Sequence, residues 1–280
     1  VRSSAASDVY KRQLEMLVKA GCPLVFKGGT ALMLILGKSA HRLSIDIDLI
    51  CPPGTNIEDY LKSFADFGFI NLELVERKQR DDADIPKSHS KFFYQIAYRN
   101  DTDAQSYILL DVLYEDIHYF RTQQIAINCP FIRLEGKPLM VTVPSAEDIL
   151  GDKLTAFAPN TTGIPYYKNG RSCSMEIAKQ LYDVGRLFEN VSDLQITKEA
   201  FRKIAVVELS YRSFGTDIGQ VFNDIRQTAL CISTRGKAGE GDFDLIQDGI
   251  IRVKSFMYKQ RYLIAVSYTH LRAHETLSDL

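Results

Sequence analysis
The chain has 280 residues, of which 45% are apolar and 25% charged, with a net charge of -1. These values describe an ordinary globular chain and exclude disordered and collagen-like classes. The balanced charge also excludes a protein that coats nucleic acid by charge alone, while leaving room for a local basic groove. No apolar run approaches the roughly 18 residues of a membrane span.

The two ends read differently from the rest. Ser3 to Gln13 (SSAASDVYKRQ) and Val266 to Thr276 (VSYTHLRAHET) resemble translated transposase-type sequencing adapters. Segments 1–13 and 266–280 are therefore expected to be artefacts and are set aside from fold reasoning. Five scattered cysteines without C-x-x-C spacing predict buried thiols in a reducing cytosol, not disulfides or a zinc cage. Three histidines remain inside the flanks, His41, His89 and His118, too far apart in sequence to build a metal site.

In chain order, Leu14 to Ala20 reads as the end of a helix, stopped by Gly21 and Pro23. Leu24 to Phe26 is a short apolar strand, which Lys27-Gly28-Gly29-Thr30 turns into a helix from Ala31 to Leu36. Arg42 to Ile50 alternates as a strand. Asn56 to Phe67 reads as a helix, followed by strands Phe69 to Arg77, Phe92 to Arg99 and Ser106 to Tyr114. A hairpin spans Phe131 to Val143 and turns at Glu135-Gly136-Lys137. At Pro144 the texture changes. Ser145 to Asp148 has capping-box form and opens a helix to Phe157. After a loop rich in Gly, Asn, Thr and Tyr come helices Met175 to Glu189, Lys198 to Leu209, Asp217 to Cys231, and Phe243 to about Ile264. Strands first and helices afterwards predict an α+β unit over 14–143 and a helical unit over 144–265.

The chemistry concentrates between Lys27 and Asp48. On an alternating strand, Ser44, Asp46 and Asp48 share one face, and Leu43, Ile45, Ile47 and Leu49 form the apolar one. Paired carboxylates repel unless a cation lies between them, and this spacing suits Mg²⁺ with substrate phosphates. Gly28-Gly29 lets the backbone approach a ligand, and the helix that follows offers unpaired N–H groups to an anion. Thr30 can cap that helix or bind a phosphate oxygen, and Lys27 can supply charge. An anion cradle followed by a metal-binding strand describes a nucleoside triphosphate site.

The K-G-G-T-A-L and R-L-S-I-D-I-D pattern resembles the nucleotidyltransferase superfamily that shares the DNA polymerase β core, and within it the AbiEii/AbiGii-type toxins of type IV toxin–antitoxin systems. The resemblance runs from about Lys27 to Asp183. It implies an α+β fold: a polymerase β-like core of mixed sheet and flanking helices, followed by a C-terminal helical bundle. It also implies a third carboxylate, which Asp111 in Ile108 to Leu113 matches; Asp111 can equally end its strand facing water. Lys153 matches the family's lysine in the first C-terminal helix, and its shared face with Ile149 and Phe157 places it on the packed side. Asp183 in Lys179-Gln180-Leu181-Tyr182-Asp183-Val184 matches the family's second-helix aspartate, although Gln180 stands where the family carries another aspartate. Asp183 can instead pair with Lys179 or Arg186 on its own helix.

The implied reaction is transfer of a nucleoside monophosphate from an NTP, with release of pyrophosphate, by a cytoplasmic bacterial toxin of abortive infection. Asp46, Asp48 and Asp111 would hold Mg²⁺ or Mn²⁺, while Lys27, Gly28, Gly29, Thr30, Ser44 and Lys153 would bind the nucleotide. Ser44 is alternatively a modification site through which an antitoxin silences the enzyme. The expected acceptor is a tRNA end, gripped by Lys168, Arg171, Lys179, Arg186, Tyr166 and Tyr167, and the expected protein partner is an AbiEi-like antitoxin. Two alternatives stay open: a nucleotidyltransferase acting on a small aminoglycoside-like molecule, and an inactive nucleotide-binding regulatory module.

Overall fold
The structure, a computed structural model, describes residues 2–44, 46–62, 64, 69–78, 88–96, 107–128, 137–212 and 215–257. The C-terminal adapter-like segment and the expected turn at Glu135-Gly136 lie outside the described residues. The chain forms two compact units. The first runs through Lys38, resumes from Leu43 to Ile117, and takes in Thr122–Pro144; the second takes Ser39–Arg42, His118–Arg121 and the chain from Ser145 onward.

In the first unit, helix α1 (Arg2–Lys19) is followed by strand β1 (Val25–Lys27), which runs directly into helix α2 (Gly28–Leu36). Strand β2 (Ile47–Cys51), short helix α3 (Ile57–Leu61) and strands β3 (Phe69–Lys78), β4 (Ser88–Ile96) and β5 (Tyr107–Tyr114) follow. The five strands form one sheet in the order β1-β2-β5-β4-β3. Only β2 and β5 are parallel; the other pairs are antiparallel. The architecture is α+β with a mixed sheet, as the order of elements predicts. Phe26, Leu49 and Val112 lie in one cross-strand row, and Ile47, Leu110 and Phe92 in another of the same face. That face packs into a core with Leu14 and Leu17 of α1.

Two expectations are corrected here. The strand expected from Arg42 begins at Ile47. On the β1 side its ladder ends at Lys27↔Asp48, because the chain turns into α2 at the next residue. The segment before Ile47 is held by side chains of α2 instead: Ser44 N–H donates to Met33 Sδ at 3.1 Å, and Thr30 Oγ1 donates to the Asp46 carbonyl at 2.6 Å. Secondly, the hairpin arm ending at Val143 belongs to strand β7 (Met140–Pro144), whose partner is strand β6 (Thr122–Ala126), with Thr122 opposite Pro144. The polar run Thr122-Gln123-Gln124 hides β6 from a reading of hydrophobic alternation.

The second unit is built from helices α4 (Ala146–Ala156), α5 (Ser174–Phe188), α6 (Leu194–Ser210), α7 (Ile218–Ser233) and α8 (Phe243–Val253). Between α4 and α5 lies a hairpin of two short strands, β8 (Tyr167–Lys168) and β9 (Arg171–Ser172). Side chains cap the helices as their sequences require. Ser145 accepts from Asp148 N–H at α4, Asp217 and Gln220 form a full capping box at α7, and Asp242 caps α8. At Gly249 a Cβ would meet the Ser174 carbonyl oxygen at 2.0 Å, so the approach of α8 to α5 requires a residue without a side chain.

Candidate active site
The register of the first sheet puts charged residues of successive strands in one row. Lys27 of β1 lies opposite Asp48 of β2, Asp48 opposite Asp111 of β5, and Asp111 opposite Lys91 of β4. Register partners project from the same face, so two carboxylates stand side by side between two lysines, on the face away from Phe26, Leu49 and Val112. Adjacent strands are about 4.8 Å apart, close enough for like charges to raise each other's energy. Lys91 Nζ, 3.3 Å from Asp111 Oδ2, offsets part of this repulsion. Asp111 is therefore at mid-strand, not at a strand end, with its side chain 29% exposed.

The glycine turn closes on the same row. Gly28 has φ +78°, and a Cβ on it would lie 2.0 Å from Asp48 Oδ2. The Asp48 carboxylate thus packs directly over the backbone that opens α2, a closeness only glycine permits. Thr30 is fully buried, and its hydroxyl is committed to the Asp46 carbonyl, two residues before Asp48. Asp46 itself is half-buried just ahead of β2, and Ser44 precedes it, also half-buried. Among the described residues, no group of three His, Cys, Asp or Glu side chains is arranged to hold a metal ion. A cleft of about 430 Å³ lined by Thr55, Asn56, Arg77, Ser88, Ser90 and Tyr114 opens on the other face of the sheet. It is separate from the carboxylate row.

In the second unit, a buried ion cluster joins three of the chemically informative residues. Asp183 of α5 accepts from Arg42 twice, Nε to Oδ1 at 2.9 Å and Nη2 to Oδ2 at 2.8 Å, and Lys153 Nζ of α4 lies 3.1 Å from Oδ2. Burial pushes the Asp183 carboxyl up, but Arg42 and Lys153 together outweigh it and hold the group below the ordinary carboxylate range. Lys153 is buried between Ile149 and Phe157 along its helix, as their spacing predicts. Neither same-helix partner expected for Asp183 takes it. Lys179 Nζ sits 4.9 Å over the Phe256 ring, and Arg186 donates to the Ser39 carbonyl from Nε at 3.0 Å and Nη2 at 2.8 Å.

Three residues to which the sequence assigns no role in the site enter here: Arg42, Lys91 and Asp148. Asp148 is fully buried and accepts from the Phe120 and Arg121 backbone N–H groups and the Ser145 hydroxyl, tying His118–Arg121 to α4. Its capping-box spacing was the only signal for it. The residues expected to grip RNA fall into two sets. Tyr167, Lys168 and Arg171 are exposed on the β8–β9 hairpin, with Tyr167 60% accessible. Tyr166 is half-buried, and Lys179 and Arg186 have the partners just described. The loop leading to the hairpin is anchored: Asp224 accepts from Asn160 N–H and Nδ2 and from Thr161 Oγ1, and Arg212 donates to the Thr161 and Thr162 carbonyls.

The carboxylate row thus stands beside a glycine-opened helix in a small mixed sheet. The family model for the nucleotidyl transferase AbiEii toxin of type IV toxin–antitoxin systems matches residues 13–255. The chain belongs to this family of nucleotidyltransferase toxins. Among solved structures it is similar to MenT4, a nucleotidyltransferase toxin from Mycobacterium tuberculosis H37Rv, at 13% identity and a TM-score of 0.51, covering 100% of this chain and 86% of that one. At that identity the likeness establishes the shared fold. No curated protein matches the sequence. Among the described residues no helix is long and apolar enough to cross a membrane.

Proposed function
We propose that this toxin moves a nucleoside monophosphate from an NTP to the acceptor end of a tRNA in the cytoplasm, under the control of an antitoxin. The observation that carries the proposal is the register pair Asp48–Asp111, with Asp48 packed against Gly28. Its donors fit a divalent cation: hard oxygen ligands whose mutual repulsion a cation would relieve. Asp46, Asp48 and Asp111 would hold Mg²⁺ or Mn²⁺. Such an ion supplies charge neutralisation at the transferred phosphate.

The chain's own groups do the rest. Backbone N–H groups of Gly28 and Gly29 and the charge of Lys27 bind phosphate oxygens at the start of α2. Lys153 keeps the nucleotide-contact role that the family resemblance implies, and Ser44 is assigned a phosphate contact or the position at which modification silences the enzyme. Thr30 fixes the Asp46 backbone from inside, and Asp183 positions Lys153. The acceptor hydroxyl oxygen forms a bond to the α-phosphorus, the bond from that phosphorus to the bridging oxygen breaks, and pyrophosphate leaves. Asp111 either completes that ligand set or takes the hydroxyl proton. The exposed Tyr167, Lys168 and Arg171 favour an RNA acceptor, since a stacking ring flanked by cations suits unpaired bases and phosphates.

The test offers the purified chain each α-labelled NTP with Mg²⁺ and either total tRNA or a panel of small amines and alcohols. Label in tRNA, lost on Asp46→Ala, supports the proposal; label on a small acceptor alone contradicts the RNA assignment.

A further inference from the structure
Lys91 has a carboxylate on each side of it in the first sheet. Asp111 of β5 stands opposite Lys91 on one flank, and Glu76 of β3 stands opposite it on the other. Register partners share a face, so this row continues the one that holds Asp48. Glu76 is engaged by other cations: His89 Nε2 lies 2.6 Å and Lys78 Nζ 3.0 Å from its Oε1. His89 and Lys78 together hold the Glu76 carboxyl down to about 2. Lys91 turns to the opposite flank and places its ammonium 3.3 Å from Asp111 Oδ2.

That ammonium and a divalent cation are alternatives at one carboxylate. Lysine carries a compact charge on a flexible stem, and the Lys91 and Asp111 side chains are 36% and 29% exposed. An ion pair so open to water contributes little and parts readily. The charge of Lys91 nevertheless acts with a definite sign. An ion that arrives alone brings two positive charges to a carboxylate already facing an ammonium. An ion that arrives on a nucleoside triphosphate belongs to a complex of net negative charge, which the same ammonium attracts.

We propose that Lys91 is a positioning residue that guards Asp111, opposing the entry of a divalent cation alone and so coupling its binding to that of the nucleotide. The inference rests on the reading of Asp111 as a ligand of that cation. Every residue it invokes belongs to the first unit.

The test titrates Mn²⁺ into the full chain and follows the free ion by electron paramagnetic resonance. Lys91→Met keeps the apolar stem and removes the charge. It is expected to bind Mn²⁺ about fivefold more tightly than the parent in low-salt buffer, the effect of one charge about 6 Å from a divalent ion in a water-like medium after partial screening. Lys91→Arg, which keeps the charge, should stay within about twofold of the parent. Calorimetry then measures binding of the Mn²⁺ complexes of the four α,β-methylene NTP analogues, for which Lys91→Met should show no gain over the parent. Unchanged or weaker Mn²⁺ binding by Lys91→Met overturns the inference, as does a gain that persists in full with the analogues. Asp111→Asn separates the two levels. If it leaves Mn²⁺ affinity at the parental value, the metal reading of Asp111 falls and the inference with it; if it weakens Mn²⁺ binding while Lys91→Met changes nothing, only the inference falls.

Discussion
Replacing Gly28 with alanine tests the site through one added carbon. The new Cβ would stand 2.0 Å from Asp48 Oδ2, 2.8 Å from its Cγ and 3.0 Å from its Cβ. Ordinary contact begins at about 3.5 Å, so the carboxylate must retreat by about 1.5 Å or the turn must open. A misplacement of about 1 Å at a reacting centre costs on the order of 100-fold in rate. The φ of +78° adds a backbone cost of about 1–3 kcal/mol for a residue with a side chain. Gly21 provides the control. Its φ is +74°, yet a Cβ there meets nothing within 4 Å, so Gly21→Ala carries the backbone cost without the collision. Both variants should melt lower, by about 2–4 °C for each kcal/mol lost. Only Gly28→Ala should lose label transfer from NTP to tRNA by about 100-fold. Equal transfer by the two variants, at matched folded fraction, would refute the placement of Asp48 against the glycine turn.

Thr30→Val removes the hydroxyl that donates to the Asp46 carbonyl at 2.6 Å. It should cost about 1–3 kcal/mol in chemical denaturation and lower kcat more than it raises KM for NTP. Asp183 gives a pH dependence with a definite sign. Its carboxyl is held below the ordinary range, so its stabilising contribution is present above the unfolded value of about 3.9 and is lost as pH falls through the lower folded value. The urea midpoint of Asp183→Asn should accordingly change less with pH between about 5 and 2 than that of the parent. On the β8–β9 hairpin, Tyr167→Ala should raise KM for tRNA by about 5-fold or more and leave KM for NTP alone, the loss of one stacked base. Lys168→Gln and Arg171→Gln should each reduce the slope of log affinity against log salt by about 0.7, as read by filter binding at several salt concentrations.

How far the sequence reaches depends on the range of the interaction concerned. The Lys27 to Asp48 stretch is legible because its signals are local: a glycine pair at a strand–helix turn, then alternation that separates Ile47 and Leu49 from Asp48. The place of Asp111 beside Asp48 is a matter of strand order, which alternation does not encode; only the family resemblance points to it. Lys91 shows the same limit from the other side. Its strand fixes the face it projects from, but its partner depends on β4 lying next to β5. Asp183 illustrates competition between ranges. Lys179 and Arg186 stand at helical spacing from it, yet Arg42, 141 residues away in sequence, and Lys153 take the carboxylate. An exposed pair on one helix gains only about 0.2–0.5 kcal/mol, whereas leaving a buried carboxylate unpaired costs several kcal/mol. Strand β6 escapes because Gln123 and Gln124 break the apolar alternation, while its partner β7 carries Val141 and Val143 into the core.

The most direct test of the account is the fate of the α-phosphate. Purified chain is incubated with α-labelled NTP, Mg²⁺ and total tRNA, in parallel with Asp48→Asn and with the parent in excess EDTA. Label is measured on the RNA and pyrophosphate in solution. The account predicts equal amounts of labelled RNA and pyrophosphate from the parent, and neither from Asp48→Asn or the chelated sample. Transfer by Asp48→Asn at the parental rate would contradict it.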